Sequence, residues 1–576
     1  MVKTWIHNCL ERHPKCRVLH AWRTSGSGFQ PRRLVDVGAT DGTTWRLVLR
    51  EGNAIFPATY ATVSHRWSPD QQFKLIDKNV EAHTNAQPLH LLPQVFQDAV
   101  KVIKSLGIRY LWADCLCIIQ DSLSDWEVES LEMCKIYTNS ICNISITGFE
   151  DNSTGFLGKT CGYLPLPCGV QPRWAGKIGG GWCVLDPFFW WAQVTKAPLT
   201  KRGWVFQERF LAPRVVHFGP EQLLWECASL DACEAFPQGL PATVESPRHT
   251  GFKKLDFLLE NPADKGFISE NNYLVSMTAE DLLYHWCTIV QAYTRTSLTK
   301  PNDKLIALAG VAQLMSRSNN HVEAASSEGY LAGLFKQHLL LMLEWHSDGN
   351  ISSRPEPAGV RPPHYRAPSW SWASIDGRVF YDYLPRNIDD DLLWARLPSW
   401  QILIEHLNEH MNTEDASPWP IASKCLHWKS LILDVEASVT NAGGSRFGQV
   451  LNADLVLTGV LMLAQDIIMT SFSNLFLRPV LLYLDTPTTP DQIQTDTLLL
   501  PLRCIQLRSS DNDDPYYWVT ALLLEPVDPG ESTYKRCGML SVISTDGVRE
   551  LGIELTENPF NAKYSDDTKL ETIRII

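Results

Sequence analysis

Short apolar runs alternate with helical patterns between residues 59 and 148, and this alternation constrains the fold more than any other feature of the chain. Three runs are rich in apolar and β-branched residues: 59–64, 109–119 and 141–148. Near-continuous apolar strands are typical of a sheet that is buried on both faces. Helical patterns separate the runs, and a β-α-β-α-β order requires parallel strands with right-handed crossovers. We therefore predict an α/β domain built on a parallel sheet with flanking helices.

Turn and cap residues support these boundaries. Pro93 suits the first turn of the first helix, and Gly107 suits its end. Ser124 or Asp125 is the predicted N-cap of the second helix. The later segment KRGWVFQERFLAPRVVHFGPEQLLWEC predicts a short helix, a turn at Pro213 and two strands.

The pattern along the whole chain predicts five regions. They are an N-terminal extension packing on the α/β domain, the α/β domain with an irregular insertion, a helical region, a proline-rich connector, and an antiparallel β-rich domain. Their predicted bounds are 1–58, 59–235 with the insertion at 149–200, 236–350, 351–425 and 426–576.

Composition excludes several classes of protein. A net charge of −13 gives no attraction to phosphate backbones, so nucleic acid is not an expected partner. The best candidate for a membrane span, Leu455–Met469, is too short and contains Gln465 and Asp466. The 15 cysteines are scattered, and Met1–Leu10 does not resemble a signal peptide. We expect a reduced, soluble, cytoplasmic protein that binds other proteins or a small molecule, with homo-oligomers as an option.

Polar side chains stand where the first two predicted strands end. Those of the first are Ser64, His65, Arg66 and Trp67, and those of the second are Asp114, Cys115 and Cys117. Ligands of open α/β sheets bind beyond the carboxyl ends of the strands, so we expect these residues to line one crevice. His65, Asp114 and Cys117 would suit a thiolate nucleophile with a base and an orienting carboxylate. However, an extended strand would direct Asp114 and Cys117 to opposite faces, and cysteine is commonly a buried residue.

Glu129 falls within the apolar stripe of the second predicted helix. A carboxylate on a buried face needs a partner. One interpretation is a structural ion pair with an arginine: Arg66, Arg202 or Arg209. The other is a carboxylate tuned for substrate contact or acid–base catalysis.

The motif RGWVFQER adds further candidates for ligand binding: Arg202, Trp204, Gln207, Glu208 and Arg209. Two arginines could hold a phosphate or a carboxylate through paired hydrogen bonds. An internal Arg–Glu network that ties the segment to the sheet explains the same residues equally well.

The N-terminal motif CLERHPKC places Cys9, His13 and Cys16 in a C-x3-H-x2-C array. A structural zinc site takes four ligands, and the sequence shows no fourth one nearby. A helix that buries Cys9 and ends before Pro14 explains the same residues. We therefore predict no metal site, with zinc as the alternative.

Three stretches together resemble the fungal heterokaryon incompatibility (HET) domain. They are YATVSHRW, LPQVFQDAVKVIKSLGIRYLWADCLCIIQDSLSDWEVESLEMCKIYTNS and RGWVFQERFLAPRVVHFG, in the order of the family. RLVDVG and APSWSWASIDG extend the resemblance over most of the chain. Two positions depart from the family pattern, because Ser68 follows Trp67 where glycine is usual and Cys115 replaces a small residue.

The resemblance implies a role in fungal non-self recognition that leads to cell death. It also implies a TIR-like, flavodoxin-like sheet, since the HET domain is thought to be distantly similar to TIR domains. Some TIR domains cleave NAD with a glutamate carried on a helix, and Glu129 is the corresponding candidate here. No cofactor is required under this hypothesis, and NAD would be the substrate.

Two other functions stay open, and with them the question of whether the chain is an enzyme. The first is an enzyme of fungal secondary metabolism, such as a cyclase, dehydratase or isomerase, in which His65 and a carboxylate act as acid and base on an apolar substrate. The second is a binding module without chemistry, whose acidic surface selects a protein partner.

Overall fold

The structure is a computed structural model of the chain. It describes residues 1–24, 28–38, 42–50, 59–67, 73–149, 155–158, 168–170, 182–184, 186, 188–241, 244, 259–260, 274–275, 279–318, 329–347, 359–381, 428–442, 445–464, 480–486, 496–507, 516–528, 530–544, 553–555, 562–564 and 569–576. Much of the predicted insertion and of the proline-rich connector, together with Ser68, lies outside the described residues.

The chain forms two compact units. The first comprises residues 1–278, 296–299 and 306–320, and the second comprises 279–295, 300–305 and 321–576. The five regional bounds drawn from the sequence stay predictions.

The helices are, in chain order, α1 (Val2–Arg12), α2 (Pro14–Thr24), α3 (Val80–Thr84), α4 (Gln94–Leu106), α5 (Asp114–Cys117), α6 (Leu123–Asn139), α7 (Gly203–Leu211), α8 (Ala279–Tyr293), α9 (Ile306–Ser318) and α10 (Leu339–Met342). The strands of the first unit are β1 (Arg33–Asp36), β2 (Thr44–Leu49), β3 (Tyr60–Ser64), β4 (Gln87–Pro88), β5 (Tyr110–Trp112), β6 (Asn143–Ser145), β7 (Cys168–Val170), β8 (Trp182–Val184), β9 (Arg214–Phe218), β10 (Leu223–Cys227), β11 (Asp231–Cys233), β12 (Leu259–Glu260) and β13 (Leu274–Val275).

A nine-stranded sheet with the order β11-β10-β9-β6-β3-β5-β1-β2-β4 organises the first unit. Strand β3 is parallel to β5 and β6, and β6 is parallel to β9. The strands at both edges of the sheet run antiparallel. The prediction of an α/β domain with a parallel β-α-β-α-β core is therefore confirmed, while the finer flavodoxin-like topology stays a prediction.

The start and stop signals explain the first crossover helix. Strand β3 is buried at every position, as its apolar sequence predicts. Pro93 is the N-cap residue of α4, and Gly107 closes the helix with φ +80°. This left-handed conformation suits glycine, which has no Cβ to clash.

The second strand and the second crossover helix differ from the prediction. Strand β5 has three residues, and the chain then turns into α5 at Asp114. The Asp114 Oδ1 accepts the backbone N–H of Cys115 at 2.7 Å, a local hydrogen bond that competes with strand pairing. Helix α6 begins earlier than expected, because the Ser122 hydroxyl caps it by accepting from the N–H of Asp125 at 3.3 Å.

The second unit is rich in β-structure, as predicted. Its strands are β14 (Tyr330–Leu331), β15 (Leu334–Phe335), β16 (Trp345–Ser347), β17 (Val379–Tyr381), β18 (Trp428–Ser430), β19 (Asp434–Asn441), β20 (Val450–Val460), β21 (Met462–Leu463), β22 (Val480–Leu484), β23 (Leu498–Leu507), β24 (Tyr516–Pro526), β25 (Thr533–Ser544), β26 (Ile553–Leu555), β27 (Ala562–Tyr564) and β28 (Leu570–Ile575). Nine of them form one sheet that is antiparallel except where β25 meets β28.

The predicted helical region, 236–350, includes the sequence GYLAGLFKQHLLLMLEWH, and for this stretch the prediction of helix was largely wrong. Strands β14 and β15 form a tight hairpin there, followed by the short helix α10 and strand β16. Ala332 and Gly333 provide the positive φ angles of the turn, +46° and +100°. The Gly333 carbonyl accepts hydrogen bonds from the indole N–H groups of Trp286 and Trp372, both at 2.9 Å, which fixes the hairpin.

In the described part of the chain, no helix combines the length and the apolar character that crossing a membrane requires. The eleven cysteines whose side chains the structure describes are free thiols.

Candidate functional site

The carboxyl ends of β3 and β5 bring three of the predicted site residues together. The Trp67 indole N–H donates to Asp114 Oδ2 at 2.7 Å. His65 Nδ1 lies 3.7 Å from Asp114 Oδ1. Asp114 is the first residue of the helical turn α5 and does not continue strand β5. Its carboxylate therefore lies beside His65. We call His65, Trp67 and Asp114 the strand-end cluster.

His65 is held in a buried and apolar position. Its side chain is only 1% exposed, and its ring meets the Phe96 ring edge-on at 5.0 Å. Burial lowers the pKa of His65, although the negative charge of Asp114 acts in the opposite direction. Its Nε2 has no hydrogen-bond partner among the described residues. The imidazole is therefore neutral near pH 7 and has a ring nitrogen available.

Asp114 is the part of the cluster that solvent reaches. Its side chain is 28% exposed, whereas that of His65 is nearly inaccessible. Arg66, the residue between His65 and Trp67, is exposed. A ligand that approaches the carboxyl edge would thus meet the Asp114 carboxylate and the Arg66 guanidinium before it meets the imidazole.

A chain of buried hydrogen bonds lies directly behind the cluster. The Thr62 hydroxyl donates to Asn143 Oδ1 at 3.0 Å, and Asn143 Nδ2 donates to the Ser64 hydroxyl at 2.8 Å. Ser64 in turn donates to Glu208 Oε2 at 2.5 Å, and the Tyr137 hydroxyl donates to the same oxygen at 2.9 Å. The network therefore joins β3 and β6 to α6 and α7.

Glu208 is the buried carboxyl group that accepts hydrogen bonds in this network. Burial raises the pKa of Glu208 to about 7, and the charge of Asp114 acts in the same direction. The hydrogen bonds from Ser64 and Tyr137 oppose this shift. The sequence suggested an Arg–Glu network for this motif, but Glu208 bonds to hydroxyl groups instead.

Arg202 lies at the edge of the same cluster. Its Nη1 donates to the His65 carbonyl at 2.8 Å, and its charge acts on both His65 and Glu208. Arg202 is half-buried, so the remaining N–H groups of its guanidinium can turn toward a ligand.

Three other residues of the RGWVFQER motif contact helices and strands behind the sheet edge. Gln207 Oε1 accepts a backbone N–H of α9 at 3.3 Å. Arg209 forms two parallel hydrogen bonds to Glu226, at 2.8 and 2.9 Å, and both side chains are buried. The Trp204 ring meets the Trp126 ring edge-on at 6.2 Å. These contacts hold α7 in place, which agrees with the structural interpretation of the motif.

Glu129 is fully buried on α6, as its place in the apolar stripe predicts. The predicted ion pair is present, but the partner is Arg33 of β1, whose Nη2 lies 3.0 Å from Glu129 Oε1. The three arginines that were expected, Arg66, Arg202 and Arg209, make other contacts or are exposed. This expectation about the partner was wrong because Arg33 is brought in by β1, far away in the sequence.

Arg33 distributes its hydrogen bonds over several groups. Its Nη2 also donates to Asp125 at 2.5 and 2.7 Å, and its Nε donates to the Cys117 carbonyl at 2.5 Å. Burial raises the pKa of Glu129 to about 7, against the effect of Arg33. Glu129 Oε2 has no hydrogen-bond partner among the described residues.

Cys117 is fully buried, and burial raises the pKa of its thiol to about 12. A protonated thiol is a weak nucleophile, so these surroundings do not favour the catalytic interpretation. Cys115 lies closer to the cluster, where one side-chain atom each of His65, Asp114 and Cys115 fall within 4.8 Å of one another. Both carboxylate oxygens of Asp114 already accept hydrogen bonds, one from the Trp67 indole and one from the Cys115 backbone.

The first unit is thus an α/β domain with a polar cluster at the carboxyl ends of its parallel strands. Residues 60–208 match the family model described as heterokaryon incompatibility protein (HET). The chain therefore contains a HET domain over residues 60–208, which confirms the resemblance for this stretch. The match runs from the first residue of β3 to Glu208, so it includes the whole strand-end cluster. Comparisons with curated proteins and with solved structures gave no match.

Sequence reasoning missed Arg33, Tyr137 and Asn143 as partners of the candidate residues. A signal existed for Asn143, since an asparagine inside the apolar run ICNISI is costly unless it is hydrogen-bonded. No local pattern marks Arg33, because the partners of its side chain lie on helices α5 and α6, more than 80 residues later in the chain.

Proposed function

We propose that this chain is an effector of non-self recognition whose HET domain hydrolyses NAD at the strand-end cluster. The observation that carries the proposal is the pairing of a partly exposed carboxylate, Asp114, with a buried neutral imidazole, His65. Trp67 holds the carboxylate in a fixed orientation through its indole N–H. A fixed carboxylate at an accessible edge is suited to stabilising a developing positive charge.

The reaction would break the glycosidic bond between nicotinamide and ribose. The bonding electron pair leaves with nicotinamide, whose ring loses its positive charge, and the ribose carbon becomes cationic. The Asp114 carboxylate stabilises this oxocarbenium-like carbon, as carboxylates do in glycoside hydrolysis. A water oxygen then bonds to the carbon, and its proton passes to the Asp114–His65 pair and on to solvent. The products are nicotinamide and ADP-ribose.

Two arginines would bind the diphosphate of the substrate. Arg66 is exposed beside the cluster, and Arg202 is anchored by its bond to the His65 carbonyl. A guanidinium forms paired hydrogen bonds with phosphate oxygens. The buried network of Ser64, Tyr137 and Glu208 would keep the end of β3 in place while the ligand binds.

This proposal assigns the reaction to Asp114 rather than to Glu129. Glu129 is fully buried and its Oε1 is engaged by Arg33, so a substrate has no direct access to it. Its role in the proposal is to help fix Arg33, which in turn holds the Cys117 carbonyl at the end of α5.

Nicotinamide release from NAD by the purified chain tests the proposal. Wild type should release nicotinamide, and Asp114→Asn should reduce the rate at least about 100-fold, the usual size of such catalytic contributions. Glu129→Gln keeps the shape of a buried side chain and should stay within about threefold of wild type. No release by wild type would refute the hydrolase, and a loss confined to Glu129→Gln would return the role to Glu129.

A further inference from the structure

A second cluster of ligand-type side chains lies apart from the strand-end cluster. It consists of Cys9, His13, Cys16 and Cys227, and one side-chain atom from each lies within 4.8 Å of those from all the others. The first three belong to the motif CLERHPKC. The fourth, the ligand that the sequence did not reveal, is the last residue of β10.

The local backbone explains why the motif converges on one point. Helix α1 ends at Arg12, His13 is extended with φ −104° and ψ 94°, and α2 begins at Pro14. Cys9 therefore lies in the last turn of α1 and Cys16 in the first turn of α2. Pro14 stops the first helix and suits the start of the second one, so the break between the helices brings the two thiols to the same side.

The distances fit a tetrahedral zinc ion. His13 Nδ1 lies 3.5 Å from Cys227 Sγ and 3.9 Å from Cys16 Sγ. Zinc bonds of about 2.3 Å to sulfur and about 2.0–2.1 Å to nitrogen place such ligand atoms about 3.6 Å apart in a tetrahedron. The ligands therefore need only small adjustments to bind the ion.

The surroundings also fit a closed site. Cys9 and Cys227 are fully buried, and Cys16 is nearly so. The Ser229 hydroxyl lies 3.3 Å from Cys16 Sγ and can donate to a bound thiolate. A site with four protein ligands and no open position is typical of structural zinc.

Two buried arginines add an electrostatic argument. Arg214 stands directly opposite Cys227 in the pairing of β9 with β10, and Arg23 lies on α2, two turns after Cys16. Neither guanidinium has a carboxylate partner among the described residues, and each has a buried N–H without a hydrogen-bond acceptor. Three thiolates around one zinc ion carry a net negative charge, which would balance buried positive charge.

We propose that Cys9, His13, Cys16 and Cys227 bind one structural zinc ion that fastens the N-terminal helices to the antiparallel edge of the sheet. Cys227 and residues 9–16 lie outside the stretch that matches the HET family. The helices also contact this edge through Trp5, whose indole N–H donates to the Pro237 carbonyl at 2.7 Å and whose ring lies 5.9 Å from that of Trp225. Zinc would make this attachment dependent on metal and on reduced thiols.

Metal analysis of the whole chain, purified under reducing conditions and reconstituted with zinc, tests the proposal. We expect about one zinc per chain after removal of loosely bound metal. Cobalt in place of zinc should give the intense visible absorption of tetrahedral thiolate coordination. Chelation should expose the four ligands to thiol reagents and increase hydrogen exchange in α1 and α2, while the strands of the second unit stay protected.

Matched variants separate the site from general effects of losing a cysteine. Cys227→Ala should abolish tight zinc binding, whereas Cys233→Ala removes another buried thiol of the same sheet and should leave it intact. Should Cys227→Ala fail to fold, His13→Ala offers a more exposed ligand for the same test. The proposal would be overturned if fully reduced wild type bound no zinc, or if both cysteine variants lost zinc equally. A disulfide between Cys16 and Cys227 would also overturn it.

Discussion

The Ser64 hydroxyl donates a hydrogen bond of 2.5 Å to Oε2 of Glu208, a residue 144 positions later in the chain. Ser64 is the last residue of β3, and Glu208 lies on α7. The Tyr137 hydroxyl donates to the same carboxyl oxygen from α6. One buried carboxyl group therefore holds the end of the central strand against two helices, directly behind the strand-end cluster.

The first prediction concerns the pH dependence of stability at Glu208. Its pKa is about 7 in the folded chain against 4.5 in the unfolded chain. Between these values the folded chain keeps a proton that the unfolded chain has lost, so this contribution to stability is complete below pH 4.5 and is lost as pH rises through 7. Glu208→Gln removes this titration. As pH rises from 5 to 8, wild type loses this contribution and the variant does not. The free energy of unfolding of the variant, relative to that of wild type, should therefore increase by up to about 3 kcal/mol over this range.

Urea unfolding of both proteins at several pH values measures this difference. Glu127→Gln, an exposed position on α6, serves as the control and should follow wild type at every pH. A constant difference between wild type and Glu208→Gln across the range would contradict the assignment of the raised pKa.

The second prediction concerns Arg202 as a phosphate-binding residue. Arg202→Gln keeps a donor for the His65 carbonyl but removes the positive charge. The KM for NAD should rise about tenfold or more, because a hydrogen bond to a charged group contributes about 1.5–3 kcal/mol. The kcat should change little. Lys201→Gln removes a neighbouring exposed charge and should leave both constants unchanged, so an equal effect of the two variants would speak against a specific contact.

The third prediction treats Arg209 as structural. Its bidentate pair with Glu226 is buried, and Glu226 Oε2 also lies 3.1 Å from His217 Nε2. Arg209→Met leaves the Glu226 carboxylate buried without its arginine, which should cost about 3–5 kcal/mol of stability. The double variant Arg209→Met with Glu226→Met should recover part of this loss. A raised KM for NAD with unchanged stability would instead place Arg209 in the ligand site.

Local patterns predicted the framework of the first unit well. The apolar run of β3, the stop at Gly107 and the crossover order each depend on neighbouring residues, and each was confirmed. The polar residues at the strand ends were also found from the sequence, since the position of a strand end decides which side chains meet at the edge.

Pairings across long sequence distances could not be predicted. Glu129 required a partner, but Arg33 becomes that partner only through the antiparallel pairing of β1 with β5. In the same way, Cys227 joins Cys9 and Cys16 only because β10 lies beside the N-terminal helices. The short turn at Asp114 was missed because its apolar neighbours suit a strand and a helix equally well.

The central claim is that the partly exposed Asp114 carboxylate, rather than the buried Glu129, performs the function. The most direct test is the viability of fungal cells that express the chain. Wild type, Asp114→Asn and Glu129→Gln would be induced to equal levels of folded protein, and viable cells and NAD content would be counted together. We predict that wild type and Glu129→Gln deplete NAD and kill the cells, whereas cells with Asp114→Asn keep their NAD and grow. Survival with Glu129→Gln and death with Asp114→Asn would contradict the account.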